Sequence, residues 1–237
     1  MLEKIYTIPV NEAFDACAED HANGCPFCRL YDKLENDELE LILGASMMEP
    51  DIRIQTNKQG FCRHHWEAML TRKNRLGMAL MLESHLNALR EELAPGGMGE
   101  LMGGKGKKAS ARIEELEKSC YICGRIENSL SHMLENAALL WETEREFREK
   151  LDAQPYFCLE HYRAFIEAAR RNIAKRKFAD FYKAVSDVEM RYFDELRGDV
   201  SWFCKKFDYR YDNEPWGNAK DAIERSIKFL GTDHTEL

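Results

Sequence analysis

No run of about 18 apolar residues occurs anywhere in the sequence, so no segment reads as a membrane-spanning helix. The start, Met1 to Val10, has neither a sustained apolar stretch nor a small-residue cleavage site, and the expectation is a cytoplasmic protein. An excess of positive charge is missing as well: 34 Lys and Arg stand against 42 Asp and Glu, for a formal charge of −8. A polyanion gains nothing from that balance, so nucleic acid would need a local basic patch. Proline is scarce, at 6 in 237 residues. Strand-like alternation is nearly absent, its nearest case being Asp51-Ile52-Arg53-Ile54-Gln55-Thr56 behind Pro50. These absences leave an all-α fold.

Helical periodicity covers most of the chain. Arg29 to Leu43 carries Leu30, Leu34, Leu41 and Ile42, with Gly44 as a stop. Arg63 to Leu93 reads as one long helix, with Met69, Leu70, Leu76, Leu80, Met81 and Leu89 at helical spacing. Pro95 ends it, and a stretch rich in glycine and lysine follows, including Lys105, Lys107 and Lys108. Ordering such a segment costs more entropy than its burial returns, which predicts a mobile linker over 95–108 between halves 1–94 and 109–237. Helical pattern resumes at Ala109 and runs through Ile126 to Leu151. A further helix, Arg163 to Leu196, places Phe165, Phe178, Phe181, Tyr182, Val185, Val188, Tyr192 and Phe193 largely on one face, a core stripe. Trp202 to Asn218 is aromatic and turn-rich. A last helix, Ala219 to Leu230, is expected to turn Ile223, Ile227 and Leu230 inward.

Cysteine is what the chain does have. Six of its eight cysteines fall into four short motifs: Cys25-Pro-Phe-Cys28, Phe61-Cys62-Arg-His-His65-Trp66, Cys120-Tyr-Ile-Cys123 and Phe157-Cys158-Leu-Glu-His161-Tyr162. The gap from the pair to the third cysteine is residues 29–61 in the first half and 124–157 in the second, nearly the same length. A Phe precedes each third cysteine, an aromatic follows each histidine, and Trp66-Glu-Ala-Met-Leu70 parallels Tyr162-Arg-Ala-Phe-Ile166. The pattern reads as an internal repeat.

Each half supplies three thiolates and one imidazole, the donor set of a tetrahedral zinc site. A Cys-x-x-Cys turn aims both sulfurs at one point, and Cys-x-x-His at a helix start does the same because residues three apart share a face. The helix N-terminus also favours a thiolate. Two zinc ions per chain are therefore expected; an iron–sulfur cluster more often takes four cysteines. The simplest assignment gives Cys25, Cys28, Cys62 and His65 to one ion and Cys120, Cys123, Cys158 and His161 to the other. A cross-braced arrangement of the same eight residues remains open, since short motifs do not fix topology. The repeat selects His65 over His64, because Cys62 to His65 matches Cys158 to His161. His64 is then a solvent-facing or supporting residue, and Cys17 and Cys204 are free buried cysteines. Arg29, Arg63 and Arg125 stand near enough in sequence to offset the net negative charge of such sites.

Other signals carry less. Cys25-Pro-Phe-Cys28 has a redox-motif spacing but no βαβ pattern around it. Gly99 to Gly106 nearly makes a phosphate loop, yet Gly106 stands where Ser or Thr should hold magnesium, and a helix precedes it. Three function classes follow: a binding or scaffold module for a protein or small ligand, held by structural zinc; a thiol–zinc redox sensor; and a metalloenzyme. The last needs an open metal position, and His21, His64 and His85 are scattered without evident partners.

Tyr6-Thr-Ile-Pro-Val-Asn-Glu-Ala-Phe14, Cys25-Pro-Phe-Cys28, Gly60-Phe-Cys-Arg-His-His-Trp66 and Lys206-Phe-Asp-Tyr-Arg-Tyr-Asp-Asn-Glu-Pro-Trp-Gly217 together resemble a bacterial family that carries a domain of unknown function. The resemblance spans nearly the whole chain. It implies a helical cytoplasmic protein with paired Cys-x-x-Cys and Cys-x-x-His motifs and no assigned activity.

Overall fold

The structure, a computed structural model, describes residues 4–94 and 106–231. These residues form eleven α-helices and four short 3-10 turns, with no strand among them. No helix among them is long and apolar enough to cross a membrane. The helices are α1 Lys4–Glu19, α2 Pro26–Leu43, α3 Pro50–Gln59, α4 Arg63–Thr71, α5 Arg75–Leu93, α6 Lys107–Glu117, α7 Tyr121–Thr143, α8 Arg145–Asp152, α9 Leu159–Asn172, α10 Lys175–Lys205 and α11 Ala222–Leu230.

Where element and expectation differ, local chemistry gives the reason. The alternating segment at 51–56 is helical, within α3: Pro50 occupies a first-turn position, where its missing N–H costs nothing, and Asp51 complements the dipole. Its inward residues are Thr56 and Gly60, four apart, while Ile54 is exposed. The expected helix from Arg63 to Leu93 is two, because Arg72 is extended and the Asn74 side chain accepts from Gly77 N at 2.8 Å to start α5. The pattern from Ala109 to Leu151 is three helices, interrupted at Cys120 and at Glu144. The pattern from Arg163 to Leu196 divides at Ile173, which leaves the helix in an extended conformation to bury its side chain. The expected linker 95–108 lies outside the described residues as far as 105, and Lys107 and Lys108 already belong to α6.

The chain divides into two compact units. One comprises the described residues as far as Asp32 and those from Leu130 onward; the other, within Lys33–Ser129, is inserted in its sequence. The units do not coincide with the halves read from the motifs, since the division falls inside α2 and α7.

In the first unit α1 buries Val10, Ala13, Phe14 and Cys17, a stripe at helical spacing that survives the internal Pro9. That stripe packs on α8, which buries Phe147 and Leu151. The long α10 lies against α8, α9 and α11. Between them is an aromatic core: Phe14, Phe27, Phe147, Phe157, Phe165 and Phe181 are fully buried, with Phe27–Phe165 and Phe165–Phe181 centroids 4.9 and 5.0 Å apart. Of the expected α10 stripe, Phe181, Val185, Val188 and Tyr192 are buried, but Tyr182 and Phe193 are exposed. The last helix buries Ala222 and Phe229, and the three residues expected inside, Ile223, Ile227 and Leu230, face out. Phe229 wins because its ring meets Tyr156, Tyr192 and Phe193, contacts that no smaller side chain on α11 replaces. After α10, Lys206 is buried and donates to the carbonyls of Tyr211, Asp212 and Glu214, its ammonium 5.4 Å from the Trp216 ring centroid. The aromatic turn-rich segment is folded around this one cation.

The second unit packs α3 and α4 on α5, and α6 on α3 and α5. Its largest fully buried side chains are Leu39, Ile42, Met69 and Met81, whereas every fully buried phenylalanine is in the first unit. Polar clasps supplement this smaller core. The Arg53 guanidinium donates to Met47 O and Leu80 O, and Arg112 to Asn57 O and Glu92.

Candidate metal centres

The eight residues expected to bind metal form two clusters, but not the sequential ones. Cys25, Cys28, Cys158 and His161 meet within the first unit, and Cys62, His65, Cys120 and Cys123 within the second. Each cluster thus joins the Cys-x-x-Cys of one half to the Cys-x-x-His of the other. The sequential assignment is corrected by the fold: Gly60 O accepts from Tyr121 N at 3.0 Å and Ser119 donates to Gln59 O at 2.7 Å, bringing the 62–65 turn to the 120–123 turn.

All four Cys-x-x-Cys and Cys-x-x-His segments are helix starts. The carbonyls of Cys25, Cys62, Cys120 and Cys158 accept the i+4 amides of Arg29, Trp66, Gly124 and Tyr162, at 3.2, 3.0, 3.0 and 2.8 Å. Two N-termini therefore face each cluster, and their dipoles favour thiolate over thiol. Two glycines permit the approach. Gly24, before Cys25, has φ +69°, and a Cβ there would come within 2.9 Å of the Tyr156 hydroxyl. Gly60, before Phe61-Cys62, has φ +62°, and a Cβ would meet Leu116 at 3.1 Å and His85 at 3.4 Å.

Both histidines present Nδ1. In the first centre it lies 3.1, 3.4 and 3.7 Å from the sulfurs of Cys158, Cys28 and Cys25, and Cys28 Sγ is 3.6 Å from Cys158 Sγ. In the second it lies 3.1, 3.3 and 3.3 Å from Cys62, Cys120 and Cys123, with Cys62 Sγ 3.8 Å from Cys123 Sγ. A tetrahedral ion with ordinary zinc bond lengths has S···S edges of about 3.8 Å and S···N edges of about 3.6 Å. The donors stand at that spacing or slightly inside it. Without a cation they conflict. Hydrogen bonds from Cys123 and Cys62 hold the Cys120 thiol far down, while those with Cys120 and Cys62 push Cys123 far up. Cys25 and Cys28 likewise hold Cys158 down, and burial pushes Cys25 up. A divalent ion at the centroid lets all three ionise together, so the donor set fits a metal.

The two centres differ in surroundings. Cys25, Cys28, Cys158 and His161 are 2%, 6%, 0% and 3% exposed, with the Phe27 ring 5.9 Å from that of His161. His65 is fully buried, but Cys62, Cys120 and Cys123 are each partly exposed. Glu35 on α2 reaches the outer side of the second centre: its Oε1 is 3.3 Å from His65 Nε2 and 2.7 Å from His64 Nε2. A carboxylate behind a ligating imidazole fixes its tautomer and leaves Nδ1 for the metal. The His65 contact, with His64 beside it, pulls Glu35 down to about 2 against its partial burial. His64 is thus a supporting residue. Arg63 and Arg125 bind Glu67 and Glu38 rather than the sulfurs. Beside the first centre, the buried Glu189 accepts from Phe157 N at 3.1 Å, and burial pushes its carboxyl up to about 8.

Sequence reasoning missed both Glu35, one of several acids in the run Glu35-Asn-Asp37-Glu38, and Glu189, each remote in sequence from the residues it touches. Cys17 is buried as expected; Cys204 is exposed, because α10 runs on to Lys205 and turns it outward. His21 lies exposed in a 3-10 turn, and His85 is buried behind Gly60.

No curated protein and no solved structure matches the chain. One family model spans residues 1–236, and the chain therefore belongs to that family of unknown function, DUF6062.

Proposed function

We propose that the protein is a cytoplasmic helical binding or scaffold module held together by two structural zinc ions. The observation that carries this reading is the closure of each cluster: four donors, at tetrahedral spacing, inside one compact unit. A full shell leaves no position for substrate or an activated water, which favours a structural over a catalytic metal. Zinc fits better than an iron–sulfur cluster, because all four donor atoms lie within 4.8 Å of one another, a span suited to a single ion. For the module's ligand or partner, a cleft of about 1000 Å³ in the first unit is the natural seat. It is floored by Tyr156 and Tyr192, stacked 4.3 Å apart, and lined by His21, Arg191, Glu195 and Lys228.

Elemental analysis of the purified chain, followed by chelation under circular dichroism, tests the reading. Two zinc per chain and a cooperative loss of helical signal on their removal are expected. Full helicity and an unchanged melting curve after complete metal removal would refute the structural role.

A further inference from the structure

We propose that the second centre is also a thiol-oxidation site, at which a small hydroperoxide joins Cys62 to Cys123 and releases the metal while the first centre keeps its own. This rests on the reading that both clusters hold zinc. The two centres have the same donors and the same local geometry, so a difference in reactivity must come from access and from what surrounds them.

Access separates them. Cys62, Cys120 and Cys123 are all partly open to solvent, whereas the three cysteines of the first centre are at most 6% exposed. Gly124, directly after Cys123, faces open space, and a Cβ added there would meet nothing within 4 Å. A cleft of about 470 Å³ opens beside it, lined by Gln55, Gln59, Tyr121, Gly124, Arg125 and Asn128. Neither sulfur lines this cleft, but Gly124 and Arg125 beside Cys123 do, so a small hydroperoxide seated there would lie next to the turn that carries Cys123. The reacting sulfurs are already neighbours: Cys62 Sγ and Cys123 Sγ lie 3.8 Å apart, and a disulfide needs about 2.05 Å.

The chemistry closes without another reagent. One thiolate attacks the near peroxide oxygen, the O–O bond breaks, and the departing alkoxide or hydroxide takes a proton from water, leaving a sulfenic acid. The second thiolate attacks that sulfur, an S–S bond forms, and the hydroxyl leaves as water with a second proton. Two thiolates have lost two electrons and the peroxide has gained them. Only Cys120 and His65 then remain as donors, too few to retain zinc. The consequence is larger in this unit than it would be in the other, because its largest fully buried apolar side chains are Leu39, Ile42, Met69 and Met81, with no fully buried phenylalanine among them. With less apolar burial behind it, the metal carries more of the unit's cohesion.

The test uses the full-length zinc-loaded protein carrying Cys204→Ser, which removes the exposed thiol outside both clusters. Hydrogen peroxide is titrated in the presence of a chromophoric zinc chelator, and the products are digested and mapped by mass spectrometry. Expected is a first phase that releases one of the two zinc equivalents, together with a Cys62–Cys123 linked peptide, while Cys25, Cys28 and Cys158 stay reduced. As a check that needs no oxidation, alkylation of the native protein should label Cys62 and Cys123 ahead of the first-centre thiols. Release of both equivalents in one phase, earlier modification of Cys25, Cys28 or Cys158, or retention of both metals would overturn the inference. Finding no zinc in the starting protein would instead remove the metal reading beneath it.

Discussion

Two double variants give opposite results for the observed and the sequential pairing. Cys28→Ser with Cys158→Ser removes two donors from one cluster, whose sulfurs lie 3.6 Å apart, and leaves the other complete. Cys28→Ser with Cys62→Ser removes one donor from each cluster. A structural zinc contributes an apparent free energy of about 10–16 kcal/mol near neutral pH. Divided over four donors, one thiolate accounts for on the order of 3 kcal/mol, or about 100-fold in affinity. The first variant should therefore keep one zinc at undiminished affinity and lose the other outright. The second should hold both some 100-fold more weakly, by the same order-of-magnitude reasoning, and surrender both to a chelator that the wild type resists. Competition with a graded series of chelators, read by elemental analysis, distinguishes them. Apart from the four donors, the first unit also buries Phe14, Phe147, Phe165 and Phe181, which favours a variant that still folds well enough to assay. A Cys28→Ser/Cys62→Ser protein that retains one zinc at wild-type affinity would refute the crosswise pairing.

Two further outcomes are expected. Glu189, pushed up to about 8 from an ordinary 4.5, is protonated in the fold where the unfolded chain would be ionised. Its contribution is fully present below about pH 4.5 and is lost as pH rises through about 8, a change on the order of a few kcal/mol. Glu189→Gln, which mimics the protonated acid, should flatten that part of the stability profile in urea unfolding between pH 5.5 and 8; an unchanged slope would place the proton elsewhere. Lys206→Met should cost on the order of 3 kcal/mol, because three backbone carbonyls lose a charged donor. Proteolysis should then cut first between Phe207 and Glu214, and wild-type resistance there would show that the turn does not depend on the ammonium.

Much of the candidate site was legible in the sequence. Chelate spacing is local, and Cys-x-x-Cys or Cys-x-x-His aims two donors at one point whatever the rest of the chain does. Comparison of the two motif sets also chose His65 over His64, and Glu35 accounts for what His64 does instead. Pairing was not legible, because it depends on long-range contacts such as Gly60 O to Tyr121 N, which leave no mark at either position. Helix breaks at Arg72 and Ile173 have no Gly or Pro at the break: the first is set by the Asn74 cap that starts the next helix, the second by burial of the Ile173 side chain. On α11 the sequence offers two apolar faces, Ile223-Ile227-Leu230 and Ala222-Phe229. Only the aromatic pocket formed by Tyr156, Tyr192 and Phe193 decides between them.

The insertion of the second unit within the first also sets an order of assembly on the ribosome. The four Cys and His residues of the second centre are all synthesised by Cys123, so that unit can bring them together while the chain is still growing. Cys25 and Cys28 emerge earlier than any of them, yet must wait for Cys158 and His161. Cys28 thus precedes Cys158 by 130 residues of elongation. At a synthesis rate of roughly 5–20 residues per second the wait lasts on the order of ten seconds. Early folding of the inserted unit shortens the effective loop that the first centre must close, so the centre whose ligands begin first is the one completed last.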